Sequence, residues 1–280
     1  MSQVSTPLWQ GDEPPEAAPM TPAGWLRLGL RGTAMAAVHL LGLMLLLALR
    51  LIERPLFGES RPWTPYITQA VCRLSLVLMG LRYRVRGEPM RHIGAVVANH
   101  TGWMDIFTLN ACQRVYFVSK AEVARWPFVG WLARATGTVF IRRDPREAKA
   151  QQAVFEARIR AGHHMLFFPE GTSSDGLQVL PFKTTLFAAF YSHGLDKVMQ
   201  IQPVSVIYTA PKGEDARFYG WWRDMAFGTH LAQVLAAPRQ GGAEVVFHPP
   251  LDVSAFASRK ELAAAAEAAV REGLAQGLSR

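Results

Sequence analysis

Cysteine is nearly missing from this sequence. The two cysteines among 280 residues, Cys72 and Cys112, lie far apart in apolar stretches and show no metal-type spacing. That scarcity excludes a disulfide scaffold and a cysteine-based metal centre, and it fits buried free thiols in a reducing compartment. Acidic side chains are also in short supply: 22 Asp plus Glu face 30 Lys plus Arg, for a formal net charge of +8. An excess of that sign suits an anionic surface, nucleic acid or acidic lipid, although a basic soluble protein shares it. No compact Lys/Arg run with interleaved aromatics occurs, which argues against nucleic acid as a partner. The chain shows no internal repeat and no Gly-x-Ser-x-Gly elbow of the kind that carries a hydrolase nucleophile.

Hydrophobic residues, by contrast, make up 50% of the chain. Residues 1–22, rich in Pro, Ser, Thr and acidic side chains, are the exception and are expected to form a disordered tail. Thr33–Leu49 is an almost purely apolar run of 17 residues, with Arg27 and Arg31 before it and Arg50 and Arg54 after it. As a helix it rises about 26 Å, slightly short of a hydrocarbon core of about 30 Å. His39 near its middle is costly there unless paired, and arginines at both ends set no orientation. The run lacks a clean small-residue cleavage site, so an uncleaved anchor is expected rather than a signal peptide. Ile67–Gly80 reads as a second helix with a broad apolar face. The two together predict a membrane-associated helical hairpin over residues 23–81, with a pair of ordinary core helices as the alternative.

From residue 82 to residue 280 strand-like and helix-like segments alternate. Candidate strands are Tyr83–Arg86, Ala95–Ala98, Val115–Ser119, Thr138–Ile141, Met165–Phe168, Ile201–Tyr208 and Glu244–His248, with helices between most of them. This pattern predicts an α/β fold, a mostly parallel central sheet flanked by helices, with ligands beyond the carboxyl ends of the strands.

Two strand ends carry candidate chemistry. Ala95–Ala98 runs into Asn99-His100-Thr101-Gly102-Trp103-Met104-Asp105. On one continuous helix His100 and Asp105 would face different ways, because each residue turns the helix by about 100°. With His100 in a loop and Asp105 in the first helical turn they meet, and the carboxylate then makes the imidazole a general base. A helix-starting aspartate beside a satisfied core histidine would read the same way. The second strand end is Phe167-Phe168-Pro169-Glu170-Gly171-Thr172, where backbone amides can face a developing oxyanion, or where a Pro-Gly turn carries a solvated glutamate.

These blocks resemble those of the glycerolipid acyltransferase family typified by 1-acylglycerol-3-phosphate O-acyltransferase. His100 through Asp105 matches its NHxxxxD block and Phe168 through Thr172 its FPEGT block. Gly137 through Arg143 is similar to the second block, and Gln202-Pro203-Val204 to the fourth. Lys120, Glu122, Pro127 and Gly130 fall between the first two blocks, and Phe182-Lys183 follows the third, as in that family. The resemblance covers about residues 82–210. It implies the glycerolipid acyltransferase fold, an acyl-CoA or acyl-carrier-protein thioester as donor, a lysolipid acceptor, and neither metal, cofactor nor covalent acyl-enzyme. By position it makes His100 the general base and Asp105 its orienting acid. Substrate contacts fall to Arg143, Glu170, Gly171, Thr172, Ser173, Asp175 and Lys183, with Arg143 as a surface ion-pair partner the plain alternative. The implied location is the cell inner membrane, with the catalytic domain on the cytoplasmic side.

The departures from that pattern concern the acceptor. Where phosphatidate-making members place an arginine after Glu-Gly-Thr, this chain has Ser173-Ser174-Asp175-Gly176. A bidentate phosphate ligand is thus replaced by hydroxyls and a carboxylate that suits an ammonium head group. This run, with Phe218-Tyr219-Gly220-Trp221-Trp222, is similar to the lyso-ornithine lipid acyltransferase branch. The expected acceptor is lyso-ornithine lipid, with 1-acyl-sn-glycerol-3-phosphate as the rival, alone or alongside it. A non-catalytic membrane lipid-binding protein on the same scaffold would be expected to lack His100 or Asp105.

Overall fold

A computed structural model describes residues 9–142, 146, 148–191 and 195–280. Among them eight strands form one sheet: β1 (Arg82–Arg86), β2 (Gly94–Ala98), β3 (Val115–Lys120), β4 (Val139–Ile141), β5 (His164–Phe167), β6 (Gln200–Thr209), β7 (Gly242–Phe247) and β8 (Leu251–Asp252). The spatial order is β1-β7-β6-β2-β5-β3-β4, with β8 also on β6. The run from β6 to β4 is parallel throughout, as the alternation predicts. β7 and β8 pair antiparallel with β6, and β1 lies parallel to β7. The two-residue β8 has no signal in the sequence. The α-helices among the described residues are α1 (Pro22–Phe57), α2 (Thr64–Met79), α3 (Asp105–Cys112), α4 (Val129–Thr136), α5 (Ala148–Arg160), α6 (Phe227–Ala236) and α7 (Arg259–Leu278), joined by four short 3-10 segments.

β2 is buried at every position, because helices cover both faces of the sheet. Alternate residues divide between the two layers. Val96 and Ala98 join Leu76, Met79, Leu109 and Val234 under α2, α3 and α6. Ala95 and Val97 join Ile159, Phe187, Phe190, Leu262 and Val270 under α5 and α7. This two-sided burial makes β2 a rigid ruler whose carboxyl end delivers His100.

The apolar helix is longer than the hydrophobic run. α1 has 36 residues and rises about 54 Å, so the four arginines expected to flank it lie inside it. The Thr21 hydroxyl caps its start by accepting from the Gly24 amide at 3.0 Å, and Pro22 sits in its first turn. Arg27 donates to the Ala236 carbonyl at 2.7 Å, and Arg31 to those of Leu235 and Ala237 at 2.9 and 2.7 Å. Both guanidinium groups therefore sit on the negative end of α6 and root α1 in the α/β layers. His39 donates from Nδ1 to the Met35 carbonyl at 2.7 Å, which answers the cost of a polar group in this run. α1 is long and apolar enough to cross a membrane, with 17% of its most apolar stretch buried.

α2 packs against α1 as the other arm of the predicted hairpin. At Gly42 a Cβ would stand 2.4 Å from the Val71 side chain, so only glycine permits this approach. The fully buried Glu53 closes the hairpin. One oxygen accepts from the amides of Trp63 and Thr64 at 2.7 and 3.0 Å, and the other from the Thr64 hydroxyl at 2.7 Å. A side chain of α1 thus caps the N-terminus of α2.

Residues 9–21, within the expected tail, have no regular secondary structure but lie on the domain. The Trp222 indole donates to the Asp12 carbonyl at 2.9 Å, Arg217 donates to the Glu13 carbonyl at 3.2 Å, and the Trp9 ring lies 6.1 Å from that of Trp222. Glu53→Ala leaves the buried Thr64 amide and the half-buried Trp63 amide without their acceptor. It is expected to lower stability by about 1–3 kcal/mol, read as a lower midpoint of thermal unfolding in detergent.

Candidate active site

His100 lies just past the end of β2, and Asp105 opens α3. Its Nδ1 meets Asp105 Oδ2 at 2.7 Å, the pairing that the five-residue separation permits only across a loop-to-helix turn. The same oxygen accepts from the amides of Thr101 and Gly102 at 2.8 and 3.1 Å, while Oδ1 accepts from the Tyr208 hydroxyl at 2.9 Å. An acceptor so engaged obliges Nδ1 to carry the proton and leaves the Nε2 lone pair unengaged among the described residues. The His100 side chain is 23% exposed and that of Asp105 is fully buried, so the imidazole reaches solvent while the carboxylate that holds it does not. The ring stacks on Phe168 with centroids 4.0 Å apart and planes 9° from parallel.

The turn is fixed from three further directions. Asn99 pairs both ends of its amide with Val206, at 2.8 and 2.9 Å, extending the register of β2 on β6. The Ser174 amide donates to the His100 carbonyl and the Trp221 amide to that of Thr101, each at 2.9 Å. Gly102 admits this contact, because a Cβ there would stand 2.9 Å from that of Trp221.

Glu170 is 2% exposed and gives its two oxygens to backbone amides, Oε1 to His100 at 2.8 Å and Oε2 to Leu180 at 3.0 Å. It ties the two blocks together, with both oxygens engaged at the place where the sequence leads to an expected head-group contact. Burial pushes its carboxyl up to about 8, against the pull of the two amides and with a smaller push from Asp105.

Gly171 has φ +72°, and the Lys183 ammonium lies 2.6 Å from where a Cβ would stand, so a side chain there would displace the lysine. The amides of Thr172 and Ser173 have no partner among the described residues, and the Ser173 hydroxyl donates to the Trp221 carbonyl. Asp175 accepts from the Leu177 amide at 3.0 Å and from Gln178 at 3.3 Å, forming a local turn. Arg143 lies outside the described residues. Gln202 of the fourth block bonds the backbone of Glu88, Met90 and His248, a scaffold role. Trp222 is buried, and Trp221 and Phe227 pack edge to face with centroids 6.2 Å apart, so this group serves the core.

Tyr208 was not distinguished by sequence from other strand residues, nor was Phe168 as a stacking partner. Both need the sheet to bring them to His100. Burial pushes the Tyr208 hydroxyl well above its usual value, so it remains a donor to Asp105 at neutral pH.

The acyltransferase family profile matches residues 82–207. The lyso-ornithine lipid O-acyltransferase of Rhodobacter capsulatus is 76% identical over 273 residues, 98% of this chain and 99% of that protein. This chain belongs to the acyltransferase family. A second relative of this acyltransferase, the lyso-ornithine lipid O-acyltransferase of Rhizobium meliloti, is 33% identical over 85% of this chain and 82% of its own length. Its fold is that of the crystallised 1-acyl-sn-glycerophosphate acyltransferase of Thermotoga maritima, at a TM-score of 0.59 and 21% identity, covering 89% of this chain and 98% of that one.

A carboxyl with a raised folded-state pKa contributes stability at low pH that is lost as pH rises through that value. Glu170 of the acyltransferase therefore favours folding below about pH 4.5 and progressively less toward about 8. Glu170→Gln is expected to flatten the fall in thermal unfolding midpoint between pH 5 and 8. An unchanged slope would assign that fall to other groups.

Proposed function

We propose that this acyltransferase moves a fatty acyl group from the thioester of acyl-carrier protein or CoA to the hydroxyl of lyso-ornithine lipid. The reading rests on the His100–Asp105 pair, held at 2.7 Å while Nε2 has no hydrogen-bond partner among the described residues. Nε2 takes the proton of the acceptor hydroxyl as its oxygen forms a bond to the thioester carbonyl carbon. Asp105 stabilises the resulting imidazolium. The tetrahedral oxyanion faces the unpartnered amides of Thr172 and Ser173. Collapse re-forms the carbonyl and breaks the carbon–sulfur bond, and the imidazolium returns its proton to the departing thiolate. Acyl group, proton and electron pair all balance without a metal, a cofactor or an acyl-enzyme.

The acceptor follows from the relatives and from charge. Ser173 stands where phosphatidate-making members place a phosphate-binding arginine, and Asp175, two residues on, offers with Lys183 one group of each sign to an amino-acid head group that carries both an ammonium and a carboxylate. Thr172 and Ser173 line the same turn, and Arg143 is assigned to head-group binding with them. Acyl thioesters are cytoplasmic, so the catalytic domain works on the cytoplasmic face of the inner membrane, with α1 and α2 holding it there.

His100→Ala is expected to lower turnover by about 10²–10⁴ without loss of folding. Acyl transfer at the wild-type rate would sink the mechanism. When lyso-ornithine lipid and 1-acyl-sn-glycerol-3-phosphate are offered in equal amounts to one preparation, lyso-ornithine lipid should be consumed first. Faster use of the phosphate substrate would reassign the acceptor.

A further inference from the structure

The surface between α1 and α4 holds a cleft that the acyl-transfer reading does not use. One half is cationic, a cavity of about 310 Å³ lined by Arg50, Arg54, Arg61 and Arg134 beside Leu46 and Glu59. The other half is apolar, about 380 Å³, lined by Leu43, Leu47 and Trp131. Leu47, Arg134 and Ala135 border both, so the halves are continuous.

The arginines are not equivalent. Arg50 is engaged by Glu53 and by the carbonyls of Gly58 and Ser60. Arg61 donates to the Ala135 carbonyl at 2.7 Å, yet its buried Nε has no partner. Arg134 donates one group to the Ala124 carbonyl. Arg54 is exposed and has no side-chain partner among the described residues. Glu59, the one acid of the lining, pairs with Arg158 at 3.5 Å. The cationic half thus retains an excess of positive charge with unused donors.

We propose that this cleft binds one anionic phospholipid from the leaflet around α1, its phosphate on Arg54, Arg61 and Arg134 and one acyl chain along Leu43, Leu47 and Trp131. A soluble anion accounts for only one half, because an apolar cavity of similar size opens beside it. Beside that half, Phe128 is 73% exposed and Trp131 61%, with ring centroids 5.9 Å apart. Exposed aromatics of this kind favour the interface between head groups and chains. α1 supplies the wall of the cleft and is also the helix long and apolar enough to enter a membrane. A lipid seated here fixes how deep and at what angle the catalytic domain sits on the bilayer.

Native mass spectrometry of the full chain in nonionic detergent tests this without any turnover, so it stands apart from the acyl-transfer reading. Phosphatidylglycerol, phosphatidylcholine and inorganic phosphate are the probes. One phosphatidylglycerol should be retained in preference to phosphatidylcholine, and millimolar phosphate should not displace it. Arg54→Gln should weaken retention about fivefold, as expected for one basic group at an anionic surface. Adding Arg134→Gln should weaken it further, while Arg84→Gln, an exposed arginine on β1, should leave it unchanged. Chain-brominated phosphatidylglycerol should quench tryptophan emission less in Trp131→Phe than in wild type. Equal retention of phosphatidylcholine, or equal loss in Arg84→Gln and Arg54→Gln, would overturn the proposal. Displacement by phosphate would reassign the cleft to a free anion. Arg54→Gln alone decides if the double variant does not fold.

Discussion

Asp105 collects four donors on two oxygens: the His100 imidazole, the amides of Thr101 and Gly102, and the Tyr208 hydroxyl. A carboxylate with no exposed surface is costly unless its lone pairs are filled, and removing a partner from a buried charge commonly costs about 3–5 kcal/mol. The turn after β2 therefore closes around this acid, and closure carries His100 to the mouth of the site with a single tautomer. Three of the donors come from the same turn. The fourth arrives from β6, which ties the geometry of the imidazole to the pairing of the central strands.

Glu170 performs the same service one strand away. Its two backbone contacts lock the turn after β5 to the turn after β2, and Phe168 of the same segment supplies the plate on which His100 lies. The two blocks are separate in sequence, yet they make one rigid wall. Among the described residues Nε2 and the amides of Thr172 and Ser173 remain unengaged beside this wall, which suits the proposed proton abstraction next to a developing oxyanion.

The N-terminal helices extend the same logic to the membrane. Arg27 and Arg31 anchor α1 on the carbonyl end of α6, while farther along the helix Leu40, Leu41, Met44 and Leu45 remain exposed. One helix is thus part of the α/β domain at its start and carries exposed apolar side chains, of the kind a bilayer would cover, beyond it. Glu53 then turns the chain into α2, so the hairpin does not depend on lipid to hold its shape.

The strand periodicity, the apolar run, the order of the motif blocks and the spacing of His100 and Asp105 were all legible in the sequence, because each is set by neighbours within a few residues. Local pattern also placed Asp105 at a helix start. It could not give the length of α1, since Arg27 and Arg31 are tolerated there only by the end of α6, more than 200 positions later. Nor could it single out Tyr208, whose hydroxyl looks like any other strand tyrosine until β6 lies beside β2. The backbone contacts of Glu170 were not legible for the same reason: its exposure depends on whether the amides of His100 and Leu180 come to it. The sequence by itself determined which groups are candidates for chemistry and roughly where along the chain they stand. Only the tertiary structure decided which of them stay unengaged and which are consumed in holding the others, because burial and long-range hydrogen bonds are properties of the assembled layers.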